Sequence, residues 1–163
     1  MKQLKYGTLV VVGCLLLCGL AVRAQNLQVI DSEGHATSVT AAQIAKLPRV
    51  TVEVKDHDSP AKFEGVPLST LLTSAGVQGI GKMKGAWLTQ GLLIEASDGY
   101  KVLFALAELD PDFATREIIV ADTRDGKPLD AKEGPFRVVA PGDKRPARWI
   151  RQVTILRVVG TTK

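Results

Sequence analysis

Apolar positions after residue 24 switch between periods of two and of three to four, with turn residues at nearly every switch. Leu27-Gln-Val-Ile30 alternates and predicts a first strand, and Asp31 to Gly34 supplies turn chemistry. Thr40-Ala-Ala-Gln43 has the spacing of a capping box, with Ile44 and Leu47 on one face of the helix it starts and Pro48 ending it. Val50 to Val54 alternates with Thr51 and Glu53, as a half-buried strand does, and Lys55 to Lys62 reads as a polar loop. Phe63 to Pro67 leads into a helix on which Leu68, Leu71, Leu72 and Ala75 share a face, stopped by Gly76.

Beyond a Gly- and Lys-rich loop over Val77 to Gly85, strands dominate. Leu92 to Ala96 and Lys101 to Ala105 flank Ser97-Asp98-Gly99-Tyr100, a hairpin signal. Glu117 to Ala121 and Phe136 to Ala140 are further strands with Asp125-Gly126 turning between them, and Trp149 to Val159 reads as a long final strand. No internal repeat or low-complexity linker interrupts the series. The pattern predicts one α+β domain over residues 25–163, with strand-rich mixed sheets and a few short helices.

The N-terminal stretch changes the charge picture. Lys2 and Lys5 precede an apolar run from Thr8 to Val22, and Val22-Arg23-Ala24 has the small and apolar residues of a cleavage site. This layout predicts a signal peptide over residues 1–24 and export to the periplasm or secretion. The run has about 15 residues, short of the roughly 20 needed to span a bilayer, so no membrane span is expected after cleavage. Residues 1–24 hold Lys2, Lys5 and Arg23 and no acid. The 21 Lys+Arg therefore fall to 18 beyond them, against 17 Asp+Glu. The near-neutral remainder argues against a nucleic-acid partner. Cys14 and Cys18 both lie in the same stretch. The exported protein would have no disulfide and no thiolate for a metal or for nucleophilic catalysis, and no structural metal is expected.

Few motifs carry chemistry. Gly76-Val-Gln-Gly-Ile-Gly81-Lys82 imitates the start of a phosphate-binding loop, but Met83 replaces the Ser or Thr that would hold magnesium, so it reads as a plain loop. Asp56-His57-Asp58 offers metal-ligand types, but neighbours on a short loop rarely converge on one ion, and it reads as surface. The strongest signal is the segment Arg137 to Arg151, where Arg137, Lys144, Arg145, Arg148 and Arg151 face one acid, Asp143, around Pro141, Gly142 and Pro146. Restrained guanidinium and ammonium groups suit phosphate, sulfate or carboxylate. The competing reading is a solvated loop whose cations pair with acids elsewhere.

The ordered set Phe63-Glu-Gly-Val-Pro-Leu68, Leu71-Leu72, Ala75-Gly76, Asp98-Gly99-Tyr100, Asp125-Gly-Lys-Pro-Leu129, Gly134-Pro-Phe-Arg-Val138, Pro141 and Arg148-Trp149-Ile150 resembles the molybdopterin-binding domain of the sulfite oxidase family, over roughly Leu27 to Val158. The resemblance implies a mixed α+β fold and a molybdopterin cofactor. It also places Arg137, Lys144, Arg145 and Arg148 as cofactor-binding residues, near an anionic group such as the pterin phosphate. Catalytic members hold molybdenum through the pterin dithiolene and one protein cysteine, expected near Val52 to Asp58 or shortly after it. No cysteine stands there, so no residue carries over as catalytic. Three readings follow: a module binding a pterin or another small anion without turnover, a molybdenum oxidoreductase with dithiolene-only ligation, and an envelope module whose partner is another protein.

Overall fold

The computed structural model describes residues 26–160. Among these residues ten strands form two five-stranded sheets, with two short helices beside them. In the first sheet the order is β2 (Ala36–Thr40), β1 (Asn26–Ile30), β10 (Val153–Val159), β5 (Gly91–Ala96) and β6 (Lys101–Ala105). The β1–β10 pair is parallel, with Val29 opposite Leu156, and the other pairs are antiparallel. In the second sheet β3 (Val50–Asp56) pairs with β4 (Ser59–Pro67), β4 with β7 (Ile119–Arg124), and β7 with both β8 (Lys127–Pro128) and β9 (Arg137–Val139).

One apolar core joins the sheets. Leu27, Leu92, Ile94, Phe104 and Leu156 from the first sheet share it with Phe63, Val66, Ile119 and Val138 from the second. Helix α2 (Leu68–Ser74) adds Leu68, Leu71 and Leu72, the face its spacing predicts, and Gly76 after it adopts a left-handed φ of 91°. The capping box forms at helix α1 (Ala41–Ile44): Thr40 Oγ1 accepts from the Gln43 amide at 3.2 Å, and the Thr40 amide donates to Gln43 Oε1 at 2.8 Å. Among the described residues no helix is long and apolar enough to cross a membrane. The predicted signal peptide lies outside the described residues.

Three expectations change. Lys55 to Lys62 is not a loop: β3 runs to Asp56 and β4 starts at Ser59, leaving His57 and Asp58 as a two-residue turn. Both have positive φ, 48° and 68°, which matches the twist of a tight hairpin. The final strand starts at Val153 rather than Trp149, because Gln152 takes a φ of 51° and breaks the extended run. Strand β7 lies two to three residues later than Glu117 to Ala121. Strand β2 carries no apolar alternation and is exposed over most of its length, so nothing in its pattern marks it.

Candidate functional site

A cleft of about 1580 Å³ opens between the β3–β4 turn, the β5–β6 turn and the segment from Pro141 to Gln152. The last segment is braced from several sides. Gly142 takes a φ of 88°, and Pro146 begins a single 3-10 turn ending at Arg148. The buried Trp149 indole N–H donates to the Ala140 carbonyl at 3.0 Å and closes the base of the turn. Tyr100, from the β5–β6 turn, donates its hydroxyl to the Ala147 carbonyl at 3.0 Å.

Beneath the cleft lies a buried ion lattice. Asp56 is 4% and Arg137 3% exposed. Arg137 donates Nη1 to Asp56 Oδ2 at 3.0 Å and Nη2 to Asp56 Oδ1 at 3.2 Å, and Nη1 also reaches Glu133. Arg124 Nη1 bridges the same carboxylates, 3.1 Å from Asp56 and 3.0 Å from Glu133. Two guanidiniums therefore neutralise two carboxylates, as burial of charge requires. The Arg137 guanidinium lies 5.0 Å from the Phe63 ring centroid and 5.8 Å from that of Trp149, and its Nε has no conventional hydrogen-bond partner. Asp56 is thus a buried structural anion and not a surface-loop residue. Only His57 and Asp58 of that triplet are exposed.

A second cluster holds the rim. Asp143 Oδ1 accepts from Arg116 Nη1 at 2.9 Å and Arg148 Nη2 at 2.8 Å, while Asp143 Oδ2 accepts from Arg148 Nε at 3.0 Å. Glu108 accepts from Arg116 Nη2, and from Arg148 Nη1 at 3.3 Å, which closes a ring of alternating charge. Arg148 also stacks over Phe104, 4.3 Å from its centroid. Burial alone would raise the Asp143 carboxyl. Hydrogen bonds and charge from Arg148, then from Arg116, outweigh it and hold the group below the usual carboxylate range.

The four sequence-predicted cations therefore fall into two classes. Arg137 and Arg148 are engaged with carboxylates of the protein itself. Lys144 and Arg145 line the cleft and form no salt bridge among the described residues. Arg151, from the same basic segment of the sequence, and Lys55 and Lys132, which the sequence pattern did not bring into the site, line it in the same state. Arg116 and Glu108 also escaped the sequence reading: they lie far from the basic turn in sequence, and no local motif points to them.

This donor set fits one part of a molybdopterin and not another. Several unpaired cations on a braced turn suit a phosphate. A molybdenum ligand is a different matter: no cysteine occurs in residues 26–160. The carboxylates under the cleft are already saturated by Arg124 and Arg137. Among the described residues no group of three His, Cys, Asp or Glu side chains converges as a metal site.

The family model described as "Oxidoreductase molybdopterin binding domain" matches residues 22–161. Among solved structures, the chain is similar to the sulfane dehydrogenase SoxCD from Paracoccus pantotrophus, with a TM-score of 0.64 and 18% identity. The match covers 83% of this chain and 38% of that one, so the shared property is the fold of a part of the larger protein. No curated protein matches the chain.

Proposed function

The chain belongs to the oxidoreductase molybdopterin binding domain family, and from that premise we propose that it is a binding module. It holds a phosphate-bearing pterin, or an organic anion of similar size and charge, in the cleft above the Asp56–Arg137 lattice. Lys144 and Arg145 take the anionic group. A bound molybdopterin with its metal supplies oxygen-atom and electron transfer in catalytic relatives. The phosphate fits the rim here, while the metal finds no thiolate, so no such step is assigned to this chain. The observation that carries the reading is the contrast along one turn: Asp143 and Arg148 are locked to each other, and Lys144 and Arg145 between them form no salt bridge among the described residues. Charge-assisted donors held in place lose little freedom when an anion arrives.

Export belongs to the same reading, supported by the signal-like residues 1–24. N-terminal sequencing of protein from the envelope fraction should begin at Gln25, and a chain still starting at Met1 overturns export by cleavage.

The decisive experiment is purification of the full chain from cells that make the cofactor, with elemental analysis for molybdenum and fluorescence of any oxidised pterin it releases. Pterin without metal, lost in the Lys144→Ala/Arg145→Ala variant, is the expected result. Stoichiometric molybdenum overturns the metal-free reading and supports an oxidoreductase. Absence of both signals overturns the pterin and turns attention to other anions or to an envelope protein partner.

A further inference from the structure

The ring Arg116–Glu108–Arg148–Asp143 has no member inside the cleft except Asp143. Asp143 is nevertheless the residue whose charge matters most to its neighbours in sequence. It directly precedes Lys144 and Arg145, and a free carboxylate there would pair with one of them or repel an anion arriving between them. In the structure neither Asp143 oxygen is free. Oδ2 is held by Arg148, and Oδ1 is shared by Arg148 and Arg116, the latter reaching in from the segment between β6 and β7. Glu108 fixes that outer arginine. It sits at the end of the 3-10 turn after β6, where its Oε1 also accepts from the Ala105 amide at 3.2 Å. Two acids and two bases close the ring at zero net charge. The next two cations of the turn stay uncompensated.

We propose that Arg116 and Glu108 are positioning residues for anion binding: Arg116, itself held by Glu108, adds a second donor to Asp143 Oδ1 beside Arg148, so that the charge of this carboxylate stays compensated and Lys144 and Arg145 remain free for the ligand. The inference rests on the binding reading above and adds a device that acts from outside the cleft. It distinguishes a ring that merely braces the turn from one that removes a competing charge, because the two make opposite demands on Asp143. If the ring is a brace, each lost member loosens the turn further. If it screens Asp143, deleting the Asp143 charge cancels the damage of losing Arg116.

The test uses the full chain with inorganic pyrophosphate as the probe. It is titrated at low salt and followed by calorimetry and by the backbone amide signals of Lys144 and Arg145. In Arg116→Ala the dissociation constant should rise about two- to fivefold, the size expected of one partly exposed ion pair. Arg116→Gln, which keeps a hydrogen-bond donor and most of the volume, should behave the same way if the alanine variant folds poorly. In Arg116→Ala/Asp143→Asn the affinity should return to the native value or pass it. A double variant weaker than Arg116→Ala overturns the proposal and leaves the ring as a brace. Native affinity in both Arg116 single variants, with Lys144→Ala/Arg145→Ala binding poorly, overturns it while the binding reading stands. Native affinity in the Lys144→Ala/Arg145→Ala variant overturns both.

Discussion

Replacing Arg137 by methionine tests whether the lattice under the cleft is a structural pair or a ligand site. The substitution keeps a long apolar stem between Phe63 and Trp149 and removes the guanidinium. Asp56 then loses its contacts at 3.0 and 3.2 Å and keeps the one from Arg124 at 3.1 Å, with the exposed His57 Nε2 3.7 Å away and its own side chain 3% exposed. Breaking a buried pair costs about 3–5 kcal/mol. The surviving Arg124 contact places this case near the lower end, about 3 kcal/mol, or roughly 10 °C in melting temperature for a domain of this size. The companion change Asp56→Leu/Arg137→Met removes both charges and leaves Arg124 with Glu133 at 3.0 Å. It should lie within about 1 kcal/mol of the native protein, since a paired removal leaves no stranded ion. Denaturant unfolding followed by tryptophan fluorescence and circular dichroism measures all the variants. The double variant keeps the net charge of the cleft, so its pyrophosphate affinity should match the native value. Single-variant losses that simply add in the double variant would refute the coupling. A collapse of affinity there would return Arg137 to the ligand set.

Gly65→Ala should destabilise by at least about 3 kcal/mol or prevent folding, the upper end of overpacking costs. A Cβ at Gly65 would stand 2.1 Å from the Val120 carbonyl oxygen, where β4 passes β7, and thermal melting checks it. Thr40→Ala should cost about 1 kcal/mol, the usual value of an N-cap, read from the denaturant midpoint. Stability should also fall in acid. Burial pushes Asp122 and Asp143 up, but hydrogen bonds and charge from Arg49 on Asp122, and from Arg148 and Arg116 on Asp143, leave both below their ordinary values. Groups lowered on folding contribute stability that is complete above the unfolded value, near pH 4, and is lost as the pH falls through the folded one. The denaturant midpoint should therefore stay level above about pH 5 and drop below about pH 4, less steeply in Asp122→Asn.

How far the chain could be read depended on whether an element's signal was local. The β5–β6 hairpin was legible because Asp98-Gly99 carries its own turn chemistry, and α2 because its buried leucines recur at helical spacing. The tip of β3–β4 was not. Its last strand residue is Asp56, polar and therefore read as exposed, yet buried by Arg137, 81 residues away. Trp149 and Ile150 are buried and apolar, which suggested a strand, but they serve the base of the basic turn. The site divides along the same line. The cluster Arg137 to Arg151 stands out in composition alone. Which of its cations are free depends on Asp56, Glu133, Glu108 and Arg116, whose pairing is a property of the folded chain.

The place of β10 in the first sheet bears on how the molecule is made. It lies between β1 and β5, so the sheet has a gap at its middle until residues 153–159 arrive. During synthesis β1–β2 and β5–β6 can exist only as two separate hairpins, each with an open inner edge, one holding Leu27 and the other Ile94, with Leu156 still to come. Closing the gap joins segments more than a hundred residues apart, the kind of distant pairing that slows folding. A translating ribosome thus carries an unfinished sheet until residues 153–159 have emerged. A stop codon before Val153 leaves the strands of the second sheet complete but the first sheet as two hairpins with open edges.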